Sequence, residues 1–431
     1  MSGVLIDLGE VPRGAPRPRA AAIPAPPVPY GFLLVLLCAL LLVSLSGAAP
    51  PHRPVLPVPV PAVLGDAIRV AGDRLFVISP ARTTGRRTIR TYQLPDATLL
   101  SEHTLTVNGD VLSVDVAGDL MLVTVQDERT IRFGTITLRP GSNQPLWQRP
   151  VLLQGVSAAD GLALVREEGA DFGEAYWHGV DLHTGAVRWT VHQNGQDDVA
   201  VSSYGKGYPQ WLYVLTGDGR LEARDTRTGR PAATVTVPEG RSGSTSLWTA
   251  GNLVLVGAGG SGTTGYDMNA GLQPRWRSGM NLSWYRGPVT CGEFICAFLP
   301  QRGILVIDPL TGRERWSSDR WDYADRVGGH LLSVMPGTAY PRLYVLDPAT
   351  GDVLGDAGLW QSAGPGPEPE TAYVLRTVSG QDRIWYGVLD LTTLRIRVLG
   401  AADDVSGDCH FSAGALVCRR IDATVGVWRI R

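Results

Sequence analysis

A chain of 431 residues with 44% hydrophobic content is long enough to bury a large core, and a formal net charge of -2 excludes a strongly basic nucleic-acid-binding surface. Gly 52 and Pro 31 beside that hydrophobic content exclude disorder and long helices as the main theme, and point to many short strands joined by turns. Of the 39 basic residues only Lys206 is lysine, a bias that reads as a GC-rich genome and carries no mechanism.

Residues 1–29 form a Pro- and Arg-rich tail with Arg13, Arg17 and Arg19. Residues 30–49 follow as a predicted transmembrane signal anchor. The stretch 31–49, GFLLVLLCALLLVSLSGAA, carries no charge. At about 1.5 Å per residue it reaches roughly 28 Å, close to a bilayer's hydrocarbon thickness. Positive charge lies mostly before it, so the tail is expected in the cytoplasm and the rest outside. A cleavable signal peptide stays open, with Ser46-Gly47-Ala48 or Gly47-Ala48-Ala49 as its small-residue site. Pro50 directly after Ala49 argues against cleavage. Cys38 sits mid-span behind Leu36 and Leu37, without the small residue a lipoprotein signal needs. Residues 50–64 read as a stiff Pro-rich stalk. Val55 to Val63 alternates Val or Leu with Pro, so it can pair only as an edge strand.

Residues 65–431 contain a repeat. VDLHTGAVRW (Val180 to Trp189), IDPLTGRERW (Ile307 to Trp316) and LDPATGDVLG (Leu346 to Gly355) each read as a strand ending in Asp, a Thr-Gly turn and a returning strand. Weaker copies sit at Asp225, Asp267 and Asp390, and eroded ones at Gln93 and Thr137. The anchors at 93, 137, 181, 225, 267, 308, 347 and 390 are spaced by 39 to 44 residues. Ahead of each turn comes another pair of short apolar runs, as in GDLMLVTV and GNLVLVGA. Four short antiparallel strands every ~42 residues is the signature of a β-propeller blade.

Strand-Asp-x-x-Thr-Gly-x-x-x-Trp resembles the repeat of the pyrroloquinoline-quinone-type (quinoprotein-like) propellers, over roughly residues 65 to 431. The resemblance implies an all-β propeller and allows enzymes, assembly scaffolds and sensor ectodomains alike. The turn has a physical basis. Asp181, Asp225, Asp267, Asp308, Asp347 and Asp390 can bond the backbone two residues on, and Gly185, Gly229, Gly312 and Gly351 can take positive φ without strain. Trp147, Trp189, Trp276 and Trp316 are expected to pack between blades. Eight blades are favoured, with nine open, because Ser362 to Glu370 (SAGPGPEPE) makes a poor first strand. After Asp390 the chain offers three more strands, DCHFSAG, ALVCRRI and VGVWRIR. The Val55 to Val63 run is a candidate for the missing outer strand that closes the ring.

Cys291, Cys296, Cys409 and Cys418 fall into two local pairs. Cys409 and Cys418 lie symmetrically about Ala413-Gly414, and Cys291 and Cys296 flank a short turn. Paired cysteines in an exported domain predict two hairpin disulfides. Cys296 and Cys418, each four residues after a Gly, are expected at equivalent blade positions.

No pattern for chemistry emerges. Gly257 to Gly262 spells G-x-G-x-x-G, but a strand rather than a helix follows it. Asp319, Asp322 and Asp325 lack the Gly and Glu of an EF-hand loop. The seven His are not paired as H-x-x-x-H, and no G-x-S-x-G elbow exists. Asn281-Leu282-Ser283 matches a glycosylation acceptor by chance spacing. In the quinone dehydrogenases the resemblance implies adjacent cysteines on the quinone and a calcium held by Glu, Asn and Asp. This chain has no adjacent Cys pair, and no residue carries over to the calcium site. No catalytic residue, cofactor or metal is therefore expected. The expectation is a single-pass membrane protein whose extracytoplasmic propeller binds a protein or an envelope ligand, without nucleic acid. The alternatives are an exported quinoprotein-type oxidoreductase, and a sensor ectodomain that signals through a separate chain.

Overall fold

The computed structural model describes residues 56–430, apart from short segments at 81–84, 108, 128–129, 131, 203–206, 239–244, 259–261, 300–302, 322, 336–341, 379 and 381. The predicted tail, the predicted membrane segment and the start of the predicted stalk lie outside the described residues, as do Asp322 and the middle of the Gly257 to Gly262 loop. Among the described residues no helix is long and apolar enough to cross a membrane.

Among the described residues, 36 strands form nine four-stranded antiparallel sheets. Each is one blade, and the strands run outward in chain order. Blades 1 to 8 span 67–106, 110–149, 152–193, 198–236, 245–278, 286–318, 324–358 and 361–403. Blade 9 takes three strands from the C-terminal end, Val405–Ser412, Ala415–Arg420 and Val425–Arg429, and its outermost strand from Val58–Val60. The register is Val58↔Val427, Pro59↔Gly426 and Val60↔Val425. Pro59 sits on the outer edge, where its missing N–H breaks no ladder. Inner strands of several neighbouring blades touch, and those of blades 9 and 1 do so across the closure.

The ring therefore has nine blades rather than the favoured eight. The difference lies in SAGPGPEPE. Gln361–Pro365 is the inner strand of blade 8, pairing as Gln361↔Leu375 and Ser362↔Val374 before a bulge that brings Pro365 opposite Ala372. An inner strand has one free edge, so it tolerates a proline and a bulge that a central strand would not.

Side-chain alternation explains why the second strand of each blade reads as a nearly solid apolar run. Along Arg74–Ile78, Phe76 and Ile78 pack toward blade 2, while Leu75 and Val77 pack toward blade 9. Both faces of the strand are buried, so both parities must be apolar. Each of the nine seams holds one such apolar cluster. Each buried Val, Leu, Ile or Phe contributes about 1.5–3 kcal/mol, so a blade is held by its two neighbours rather than by itself.

Candidate functional site

The repeat residues converge on the turn between the third and outer strands. Asp181 Oδ1 accepts from the backbone N–H of His183 (3.1 Å) and Thr184 (2.9 Å) and from the Thr184 hydroxyl (3.0 Å). Asp225 holds Arg227 and Thr228 in the same way, and Asp390 holds Thr392 and Thr393. Asp308, Asp347 and Asp267 each accept from the N–H two residues on. The Arg188 guanidinium and these N–H groups hold the Asp181 carboxyl well below the usual range. The Thr392 hydroxyl, with the Thr393 N–H, lowers Asp390 to about 2.

Each of the four repeat tryptophans docks on the turn of the following blade. The indole N–H of Trp147 donates to Leu182 O at 2.9 Å, Trp189 to Thr226 O at 3.0 Å, Trp276 to Pro309 O at 2.9 Å and Trp316 to Pro348 O at 2.9 Å. The acceptor is always the residue after the turn aspartate. The ring lies flat against the turn glycine: Gly185, Gly229, Gly312 and Gly351 have φ between +67° and +77°. A Cβ on Gly351 would sit 2.8 Å from the Trp316 ring, and a Cβ on Gly185 would sit 2.6 Å from that of Trp147. Glycine is thus required twice, for its conformation and for the close approach. The seam between blades 7 and 8 inverts the pair. Gly355 stands at the tryptophan position and Leu394, at φ 58°, at the glycine position. A Cβ on Gly355 would lie 2.8 Å from Leu394 Cδ1. The large and small partners have exchanged sides.

Two disulfides are present. Cys409–Cys418 joins facing strands of blade 9 with Cα atoms 4.2 Å apart, and Cys291–Cys296 joins those of blade 6 at 5.7 Å. Cys291 faces Phe294 and Cys296 faces Val289, so this second bridge runs diagonally across its hairpin. The two bridges are not equivalent. Gly292 is the first residue of its turn and Gly414 the second, so counting four onward reaches opposite faces. Cys296 packs toward blade 7, Cys418 toward blade 8. Neither bridge joins adjacent residues: the paired cysteines are 5 and 9 positions apart.

The Asp turns and the first hairpin of each blade share one face of the ring. The loops between second and third strands lie on the other. On that second face, blade 2 carries a cleft and blade 3 a polar network. The outer strand of blade 2 is only Trp147–Arg149, because Pro150 cannot continue the ladder. The start of its third strand is left uncovered, above a cleft of about 630 Å³ lined by Val107, Arg132, Phe133, Gln148 and Arg149. In blade 3, Tyr176 OH donates to Glu174 Oε1 at 2.9 Å, and His192 Nε2 lies 2.9 Å from the same oxygen. The Tyr176 and His192 rings stack at 4.8 Å. His178 reaches Thr190 Oγ1 at 2.9 Å and Glu167 Oε2 at 3.3 Å. His192 and then Tyr176 hold the Glu174 carboxyl below its ordinary value, and burial pushes the His178 imidazole down against the pull of Glu167.

This network was not expected from the sequence, which shows only scattered histidines. The signal is cross-strand: Tyr176 and His192 are paired in the hairpin centred on the Asp181 turn, and His178 pairs with Thr190. Chemically it can brace a loop and present charge. Among the described residues no three His, Cys, Asp or Glu side chains are grouped to hold a metal ion.

A family model described as outer membrane protein assembly factor BamB matches residues 85–318. Among solved structures the chain is similar to BamB from Moraxella catarrhalis, with 14% identity over 87% of this chain and 97% of that chain and a TM-score of 0.44. It is similar to a eukaryotic initiation factor, with 10% identity over 83% of this chain and 93% of that chain and a TM-score of 0.51. It is also similar to Sqt1 from Saccharomyces cerevisiae, with 12% identity over 88% of this chain and 100% of that chain and a TM-score of 0.44. The initiation-factor likeness speaks to the fold alone. No curated protein matches the chain.

Proposed function

The chain belongs to the family of the outer membrane protein assembly factor BamB, and we propose that it is a membrane-anchored, extracytoplasmic scaffold that holds a protein or envelope ligand and transforms no substrate. The family match over 85–318 carries this reading. It runs from the third strand of blade 1 through blade 6, which includes three of the four tryptophan docks and the polar network of blade 3. The repeat side chains in those blades are engaged in building the ring: the Asp carboxylates in their turns, the indoles in the seams. What is left to act is surface, which suits recognition. The uncharged stretch 31–49 behind three arginines supports the single-pass anchor, and two disulfides suit an oxidising compartment.

The test has two arms. Protease added to intact cells is expected to digest the propeller or release it at the stalk, whereas protection until lysis overturns the orientation. Mature protein beginning near residue 50 overturns the anchor and makes the protein secreted. Purified full chain given pyrroloquinoline quinone and calcium is expected to show no bound-quinone spectrum. A stoichiometric spectrum with alcohol- or sugar-dependent dye reduction replaces the scaffold with an exported oxidoreductase. Recovery of a membrane kinase or other signalling chain as the sole stable partner replaces it with a sensor ectodomain.

A further inference from the structure

The loop 169–174 on the second face, between strands Leu162–Glu168 and Ala175–Asp181 of blade 3, carries Phe172 at its tip, with a relative exposure of 104%. No other large apolar residue among the described ones stands so far from the fold. Burying a phenylalanine is worth about 1.5–3 kcal/mol, so leaving it wholly in water on a mobile loop would be unremarkable only if the loop could fold it back. This loop is held. Gly169 N donates to Glu174 O at 2.9 Å, and Glu174 N to Asp171 O at 3.1 Å. The Glu174 carboxylate is fixed from below by Tyr176 and His192. On the side, Gly173 at φ +80° packs on Gly195, and a Cβ on Gly195 would lie 2.9 Å from the Phe172 carbonyl. The segment bearing Gly195 is braced in turn. Asp197 accepts from Asn194 N at 3.0 Å and, across the seam to blade 4, from Gly217 N at 2.9 Å. The aromatic ring is therefore presented on a prepared platform, which lowers the ordering cost of binding.

Charge identifies the occupant. From 166 to 174 the sequence REEGADFGE sets Arg166 against Glu167, Glu168, Asp171 and Glu174, and Arg132 of blade 2 is the further cation that shares a cleft with Glu167 and Glu168. Arg166 stands 3.9 Å from Glu168, while Glu168 and Asp171 are exposed beside the aromatic tip. An apolar anchor inside an acidic rim complements an apolar pocket inside a basic rim. The same rim repels the anionic headgroups that a membrane-inserting phenylalanine would meet.

We propose that Phe172 is the anchor of a protein-docking surface, and that its partner is a protein presenting an apolar pocket edged by Lys or Arg. This deepens the scaffold reading and rests on it, so the test separates the two. Full-length chain is expressed in its native cells with Phe172→p-benzoylphenylalanine. A second variant, Leu310→p-benzoylphenylalanine, places the same probe at an exposed site on the opposite face, in the turn of blade 6. Illumination is expected to give a discrete protein adduct at 172, at least about tenfold above that at 310, the scale of a lost hot spot. The cross-linked peptide should contain Lys or Arg. Adding Glu168→Lys and Asp171→Lys should lower the yield by about tenfold, with the melting temperature unchanged because both side chains are exposed. Adducts at 310 alone, or equally at both sites, leave the scaffold standing and overturn Phe172 as anchor. A lipid adduct at 172, or a yield indifferent to charge reversal, overturns the partner's chemistry. Protein adducts at neither site count against the scaffold itself.

Discussion

If the indole-on-glycine contact holds the seams, its two halves must be energetically coupled. The seam between blades 5 and 6 offers the cleanest cycle. Trp276 is buried, donates to Pro309 O and lies between Gly265 of its own blade and Gly312 of the next. Trp276→Ala should cost about 3–5 kcal/mol, as removal of a buried tryptophan does. Gly312→Ala carries two costs. The residue has φ +67°, which costs an alanine about 1–2 kcal/mol, and the new methyl would overlap the Trp276 ring, costing about 1–3 kcal/mol more in displaced packing. Once the ring is gone, only the backbone cost survives. Gly312→Ala is therefore expected to destabilise by about 2–5 kcal/mol in the wild type but about 1–2 kcal/mol in the Trp276→Ala background. Urea denaturation of the two singles and the double gives the coupling, and hydrogen exchange of blades 5 and 6 shows that the loss is local. Equal costs of Gly312→Ala in both backgrounds, to within about 0.5 kcal/mol, would refute the ring contact as the reason for glycine there.

At the inverted seam, Gly355→Trp alone should lower the melting temperature, because the indole meets Leu394. Adding Leu394→Gly should raise it above the single variant and toward or past wild type by rebuilding the dock, with calorimetry as the readout; a double no better than the single refutes the exchange. Asp390 is lowered to about 2 in the fold, against about 3.9 when unfolded, so between those values the folded chain binds fewer protons. Its contribution is complete above about pH 4 and lost as pH falls toward 2; Asp390→Asn should flatten that part of an acid titration of blade 8, followed by hydrogen exchange. Cys409→Ser with Cys418→Ser should raise exchange in blades 9 and 1 first, because that hairpin precedes the strand that pairs with Val58–Val60, while Cys291→Ser with Cys296→Ser should act within blade 6. Free thiols at all four positions in unreduced peptide maps would remove the basis of both.

The ring was legible where the sequence states the same physics several times. Six Asp anchors and four tryptophans recur at one period because the seams that carry them are built on the same turn and the same ring. The blade count was harder. Gln361–Pro365 is a strand by position rather than by composition: it pairs along one edge only and through a bulge, so its sequence could carry prolines and glycines that a central strand would not. Val58–Val60 was readable as an edge strand from its prolines, and its partner at the far end of the chain from the outer strand that the three C-terminal strands lacked. The equivalence expected of Cys296 and Cys418 failed for a reason of one residue. A shift of one in a strand changes the face, and the two hairpins place their glycine at different turn positions.

The blade 3 network was hidden for a related cause. Glu174, Tyr176 and His192 look unrelated along the chain and meet only once the hairpin register is known. They also sit where the repeat is not stated: the Asp-Thr-Gly turn of blade 3 is among the most regular in the chain, while Glu174 and Tyr176 lie at the other end of the same strands. This division has a physical origin. Residues at the turn face are constrained by the neighbouring blade's indole, so they recur. Glu174, Tyr176 and His192 serve no such dock, and beyond the three-residue outer strand of blade 2, Phe133 and Pro150 share a small cleft with Glu167 and Glu168. A recognition surface built there can change without loosening a seam. That is why Phe172 on its braced loop, rather than any of the recurring aspartates or tryptophans, is where a partner is best sought.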